Sequence, residues 1–420
     1  MTLLFFLGTQ AREKNIYLSV KQTHSTPAII LKVPLSVSAQ VWDEKKQRPA
    51  NIYIKKYKKI NAMLDEIKIQ LTAYLSKKIT KDKPLSHANL SRLVKRICIG
   101  NVPSHKKGTF VSYFESYMSF KKEMLGVSTL KRYKVFLALV KRFEGFLCKK
   151  LRVQDVGGDT IREFVRYGKE EMYCDTTIER TVNFIKTILN FAERRGVRTR
   201  VREIEGGYAK QNRREMITLT EREIVKIKKC PIPERLMPAR DWLVISCYTG
   251  QRFSDFMTFC SSSIREIDGK VCIEFVQKKT FKPMILPLHP SVLNVLRRNK
   301  GCFPPPISIN NYNEQIREVA KMASIEEPVS TRKREGHRSV MARLEKWRML
   351  TSHIGRRSFA TNFYGKIPTP LLMEATGHST EMMFKRYINP IDNSRIVSLG
   401  NYFDTLYKEL ISKYESLATL

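Results

Sequence analysis

The sequence predicts a mainly α chain with small β-sheets, an α+β protein built from several modules. Three observations carry this. The 420 residues exceed what a single core usually serves and predict two to four domains. Long stretches repeat apolar residues at three- and four-residue spacing, the period of helices that bury one face. The β-like runs are short and confined to the N-terminal region, to 264–288 and to a charged segment after 328.

In chain order, residues 3–7 read as a first strand, and 16–20 and 28–33 as further strands rich in Ile, Leu and Val. A helix follows near 55–75, where Ile60, Met63, Leu64, Ile67 and Leu71 form an apolar face opposite a lysine-rich one. Residues 100–108 read as a linker. Residues 109–200 look wholly helical. Phe110, Tyr113, Phe114 and Tyr117 mark one apolar face, and Leu130 to Phe146 a longer one. Asp159 is the expected N-cap after Gly157-Gly158, and Asp175 or Thr176 opens the next helix. Lysines and arginines lie between the apolar positions, which suits either a solvated face or a clamp on a DNA backbone.

A basic linker spans 206–214, and T-L-T-E-R-E-I then places a capping box at Thr220 and Glu223. A buried helix through Trp242, Leu243 and Ile245 ends at Gly250. Residues 264–267, 270–277 and 284–288 read as three antiparallel strands, with Asp268-Gly269 as the first tight turn and 278–283 as the second. Helices are expected near 290–299 and 310–323. Residues 329–350 read as a long charged hairpin turning at Gly336, with net charge +5 over 331–350. From 396 to 420, Val397, Leu399, Tyr402, Phe403, Leu406, Tyr407, Leu410 and Ile411 make an amphipathic tail. It either closes its own domain or packs on a neighbouring protomer.

The formal net charge is +36, divided as +15 over 1–110, +8 over 111–210 and +13 over 211–420. Such a charge predicts a polyanionic partner, and its spread predicts that each module touches it. The eight cysteines form no C-x-x-C and mostly sit in apolar contexts. They read as reduced core residues of an intracellular protein, neither a disulfide framework nor a zinc site. No stretch approaches the roughly 20 apolar residues that span a bilayer. The opening M-T-L-L-F-F-L-G is too short for a signal peptide and has no basic residue before it. No Asp/Glu/His cluster has metal-ligand spacing and no phosphate-binding G-x-x-x-x-G-K-[ST] occurs, so neither a metal nor a nucleotide cofactor is expected.

Six residues in the second half carry the chemistry: Arg252 in T-G-Q-R-F-S-D, Lys279 in Q-K-K-T, His353 and Arg356 in S-H-I-G-R-R, His378 in T-G-H-S, and Tyr387 in K-R-Y-I. Cleaving a phosphodiester needs a nucleophile, charge stabilisation of the non-bridging oxygens and a proton for the leaving alkoxide. Two planar guanidinium forks can hold one phosphate. A lysine in a hairpin turn can reach a duplex and supply the proton. His353 and Arg356, three residues apart, are expected on one helix face. Tyr387 is the nucleophile candidate, since cationic neighbours favour its anion. Lys278 stands beside Lys279 as the alternative lysine, and Tyr364, Tyr402, Tyr407 and Tyr414 are competing tyrosines.

In order and spacing this set resembles the tyrosine recombinases of the phage-integrase family. Thr249–Asp255 is similar to the T-G-x-R-x-S-E/D box, with Asp255 in its supporting acidic position, and H-I-G-R-R-S-F-A-T to the H-x-x-R box. Gly377-His378 and Tyr387 match the later G-H and nucleophile, and Lys279 the strand-turn lysine. The charged segment 329–350 resembles that of mobile-element integrases of Bacteroides-type bacteria. The resemblance implies an arm-type DNA-binding module over 1–100, a small basic sheet plus helix. It implies a helical, SAM-like core-site bundle over 109–205, a mixed α/β catalytic domain over 215–400 and a tail helix over 401–420. It also implies cutting and rejoining of double-stranded DNA at core and arm sites through a 3′-phosphotyrosyl link and a Holliday junction. The agent would be a homo-tetramer in the cytoplasm at the nucleoid, with accessory DNA-bending proteins as further partners and without metal, ATP or membrane. A catalytically silent DNA-binding regulator of the same fold and a type IB topoisomerase-like enzyme are the rival readings.

Overall fold

A computed structural model describes residues 2–8, 13–21, 27–80, 85–100, 108–207, 216–335, 338–388, 397 and 400–408. The chain divides into two compact units, Met1–Gln211 with Arg332–Val340, and Asn212–Thr331 with Met341–Leu420.

The first unit opens with β1 (Thr2–Leu7), β2 (Glu13–Lys21) and β3 (Ile29–Ser38), an antiparallel sheet in the order β1-β2-β3. The strand period of two puts Ile16, Leu18 and Val20 of β2 on one face, level with Phe5 and Leu31 of the neighbouring strands. After a two-residue pairing of β4 (Trp42–Asp43) with β5 (Arg48–Pro49) come α1 (Lys55–Ile79) and α2 (His87–Ile99). Ile60, Leu64, Ile67, Leu71 and Leu75 of α1 and Leu90, Val94 and Ile97 of α2 close over the sheet as one core. α2 goes beyond the sequence reading, although its 90/94/97 spacing is helical.

A second core of the same unit joins α3 (Phe110–Phe120), α4 (Val127–Leu147), α5 (Gly158–Glu170) and α6 (Asp175–Glu193). The Phe184 ring sits among Phe110, Phe114, Tyr133 and Phe136 at 5.1–6.2 Å between centroids. The expected cap at Asp159 is displaced: α5 starts at Gly158 with Gly157 as its cap. Asp159 lies in the first turn, where a carboxylate suits the helix dipole, and pairs with Arg162.

The second unit is built around α8 (Met237–Thr249), which is buried along its whole length from Ala239. α7 (Glu221–Lys229) packs on it and begins with the anticipated capping box, Thr220 and Glu223 each bonding the other's backbone N–H. α9 (Phe253–Phe256) leads into β6 (Ile264–Ile267), β7 (Lys270–Val276) and β8 (Pro283–Pro287), an antiparallel sheet in that order. Its first turn places Asp268 and Gly269 at φ 47° and 71°, as a tight primed turn requires. α10 (Pro290–Arg298) and α11 (Ile309–Met322) follow, then the two-stranded sheet of β9 (Pro328–Glu335) and β10 (Arg338–Glu345), of which Arg332–Val340 belong to the first unit. α12 (Ile354–Phe363), α13 (Thr369–Thr376) and α14 (Glu381–Lys385) complete the unit. No described helix is long and apolar enough to cross a membrane.

The cysteines depart from the core reading. All eight are free thiols, but Cys247 and Cys272 alone are buried, while Cys260 and Cys302 are exposed. In the amphipathic tail, residues 400–408 are helical, with Tyr402, Phe403, Leu406 and Tyr407 exposed. Leu399, Leu410, Ile411 and Tyr414, like Gly336 and the 101–107 and 208–215 linker segments, lie outside the described residues.

Candidate active site

The site grows from the packing of α12 across α8. Gly355 makes this crossing close: a Cβ there would stand 2.0 Å from Ser246 Oγ and 2.7 Å from its carbonyl carbon. Its neighbour Arg356 is thereby driven into the interior, with 0 % of its surface exposed. A buried guanidinium needs acceptors, and helix ends supply them. Arg356 Nη1 donates to Gly250 O at 2.9 Å, at the C-terminus of α8, and Nη2 to Thr376 O at 2.8 Å, at the C-terminus of α13. Nη2 also lies 2.9 Å from His378 Nε2, while Nε has no partner.

The histidine's state follows from its other contact. Thr376 Oγ1 donates to Leu372 O at 2.6 Å, so toward His378 Nδ1, 2.7 Å away, it accepts. Nδ1 therefore carries the hydrogen and Nε2 accepts from Arg356, a neutral imidazole. Burial, then the charges of Arg356 and Arg252, push its pKa down to about 4. Gly377 provides the left-handed residue that ends α13, and a Cβ on it would meet the Gln277 amide at 2.6 Å.

Arg252 caps α9. Its Nη1 donates to Gln277 Oε1 at 3.0 Å and lies 3.8 Å from Asp255 Oδ2. Asp255, fully buried, accepts the Lys278 N–H at 3.0 Å and the Ser254 hydroxyl at 3.1 Å, and its Oδ2 has no hydrogen-bond partner. Tyr387 follows α14. Its carbonyl accepts from Thr361 Oγ1 at 3.3 Å, the Arg356 guanidinium carbon lies 5.3 Å from its ring centroid, and the His378 ring 5.0 Å away. Arg356 is lowered to about 10 by burial and by Arg252, with Tyr387 and Asp255 pulling it back up, so it stays charged at neutral pH. Arg252, Asp255, Arg356, His378 and Tyr387 thus meet around one guanidinium.

His353 and Lys279 stand at the margin. His353 is not on the helix face expected for it: it is the N-cap of α12 and exposed, because the helix begins one residue later. Desolvation and then the charges of Arg357, Arg356, Arg252 and Lys279 hold it below its usual range. Lys279 and Lys278 are both exposed on the turn after β7; the charge of Lys279 acts on His353, while Lys278 is tied through its backbone to Asp255.

Two residues were missed by the sequence reading. Gln277 is fully buried and accepts from both Arg252 and Thr280, the latter at 2.7 Å, tying the lysine turn to the arginine. Thr376 fixes the histidine. Its only signal is its place directly before Gly377-His378, and Gln277 carries none beyond standing before the two lysines. Among the described residues no group of three or more His, Cys, Asp or Glu could hold a metal ion.

Residues 109–201 match the family model of the phage integrase SAM-like domain. No curated protein matches the chain. Among solved structures, a lambda integrase dimer bound to a COC′ core site is similar at TM-score 0.50 and 17% identity, over 66% of this chain and 95% of that one. A lambda integrase tetramer bound to a Holliday junction gives 0.51 and 15%, over 73% and 88%. The Tn1549 transposon integrase in complex with circular intermediate DNA gives 0.51 and 14%, over 69% and 99%. At these identities the likeness is one of fold, the α+β fold of the tyrosine recombinases.

Proposed function

We propose that this chain, of the tyrosine recombinase/phage integrase kind by its SAM-like domain and its fold, cuts and rejoins DNA at specific sites. The observation that carries the reading is Arg356: a buried cation wedged between Tyr387, His378 and Arg252. Cations beside a phenol favour its anion, and a phosphate is the ligand that a pair of guanidinium groups suits.

In this reading Arg252 and Arg356 clamp the phosphate. Tyr387 Oη attacks phosphorus, and its proton passes to solvent water. The 5′ oxygen leaves with a proton from Lys279, and the DNA remains joined to the enzyme through a 3′-phosphotyrosine. Attack by the 5′ hydroxyl of a partner strand reverses these steps, so the energy of the broken bond is kept and no ATP is consumed. His378 Nε2, neutral and accepting from the same guanidinium, holds Arg356 in place beside Tyr387. Asp255 holds the base of the lysine turn and faces Arg252. His353, among four cations, is suited to donate to a phosphate oxygen.

The module roles follow the same reading: 1–100 as an arm-site module, 109–205 as the core-site clamp, 215–400 as the catalytic domain. The exposed apolar face at Tyr402, Phe403, Leu406 and Tyr407 supports a tail that packs on a neighbouring protomer in a tetramer at a Holliday junction. The setting is the cytoplasm at the nucleoid, with accessory DNA-bending proteins as partners.

Incubating the protein with nicked suicide duplexes from the ends of the element that carries its gene tests this. A covalent protein–DNA adduct is expected, and Tyr387→Phe abolishes it while retaining DNA binding. Binding without any adduct favours the silent regulator instead. Adduct formation and relaxation of supercoiled DNA by a monomer, with no strand exchange, favours the topoisomerase-like enzyme.

A further inference from the structure

The turn that carries Lys279 also holds a side chain that folding leaves unused. Phe281 is 79 % exposed, more than any other large hydrophobic side chain among the described residues. Its backbone is left-handed, at φ 55°, a region unfavourable for a bulky residue. The turn itself is closed and anchored. The Gln277 N–H donates to Lys282 O at 2.9 Å and the Phe281 N–H to Gln277 O at 2.8 Å. The Gln277 side chain in turn accepts from Arg252 and Thr280. The ring therefore projects from a frame fixed to the candidate phosphate site. Lys278, Lys279 and Lys282 belong to the same turn, all exposed. Below it Val276 pairs with Pro283, and both are exposed, as is Ile285 two residues on. An apolar ridge in water, flanked by three cations, is matched by an occupant with an apolar interior and an anionic edge. Duplex DNA has both.

We propose that Phe281 is a DNA-positioning residue whose ring enters the base stack of duplex DNA beside the phosphate held by Arg252 and Arg356. Lys278 and Lys282 neutralise the phosphates on either side. Aromatic rings stack on any base, and apolar side chains inserted at a base step unstack and bend the duplex. Insertion fixes the register of the DNA against Tyr387 from a point on the same anchored turn. The proposal rests on the recombinase reading for its location, and the test separates the two.

The probe is the duplex that the full-length wild-type protein enriches from a random-sequence pool, with 2-aminopurine placed at successive positions. A Tyr387→Phe background keeps the DNA uncut. A fluorescence rise at one base step is expected, lost in Phe281→Ala together with about tenfold of the binding, the scale of one base–aromatic stack. Phe281→Trp retains the signal. Phe281→Gly relieves the left-handed backbone, so its Tm does not fall, yet it loses the signal as Ala does. A signal at no position, or one unchanged by Phe281→Ala, overturns the proposal, as does an effect of Phe281→Ala confined to self-association without DNA. Adduct formation by the wild type on the same duplex reports separately on recombination. Unstacking that depends on Phe281 without any adduct keeps the positioning role and removes the recombinase reading. An adduct formed equally fast by Phe281→Ala, without unstacking, removes the positioning role alone.

Discussion

Arg356 spends its two terminal nitrogens on the carbonyls that close α8 and α13 and on His378. A lysine cannot reproduce that fork. Arg356→Lys is expected to slow single-turnover adduct formation by about 10²–10³-fold, the cost of losing one positioned donor, while binding to the duplex is largely kept. His378 predicts a pH dependence. Its folded pKa of about 4 lies below the ordinary 6.5, so the unfolded chain binds the extra proton first. The stability it contributes is complete above pH 6.5 and is lost as pH falls toward 4, by up to about 3 kcal/mol for the full shift. Thermal melts between pH 7 and 4 should therefore fall more steeply for the wild type than for His378→Gln, and parallel curves would refute the assignment. Residue type and spacing proposed six residues, of which the structure brings Arg252, Arg356, His378 and Tyr387 together and leaves His353 and Lys279 at the margin. Gln277 and Thr376 were not legible, because a hydrogen-bonding hub has no sequence pattern of its own.

Elements with local causes were legible nearly to the residue. β6 and its Asp268-Gly269 turn depend on strand period and turn chemistry, and the Thr220–Glu223 box on two residues three apart. What failed depended on contacts from afar. α12 starts after His353 rather than including it, which moves the histidine off the buried face. The closeness of α12 to α8 was invisible too, since only the packed structure gives Gly355 its role. Gly355→Ala must push Ser246 aside, and overpacking of this kind costs about 1–3 kcal/mol. Denaturant melts should show that loss, and the displaced Arg356 should lower adduct formation with it. Gly206→Ala, where a Cβ meets nothing within 4 Å, is the control expected to change neither.

For the molecule as a whole, the charge of +36 is the strongest statement. A protein that neutralises six to ten phosphates loses about 10³–10⁵ in affinity between 50 and 200 mM salt, and fluorescence anisotropy with a duplex should show a fall of that order. Near-constant affinity across that range would remove the polyanion argument. Composition proposed a polyanionic partner, and helical periodicity made the 109–200 bundle legible. It could not assign the 329–350 hairpin, whose tip residues, Arg332–Val340, group with the N-terminal unit although the flanking sequence lies in the other. The central claim is that Tyr387 is the nucleophile. Mass spectrometry of the tryptic peptide that stays linked to the suicide duplex tests it most directly. The account predicts a nucleotide joined through its 3′ phosphate to Tyr387, with a free 5′ hydroxyl on the released strand. Attachment at Tyr364 or another residue, or linkage through a 5′ phosphate, would contradict it.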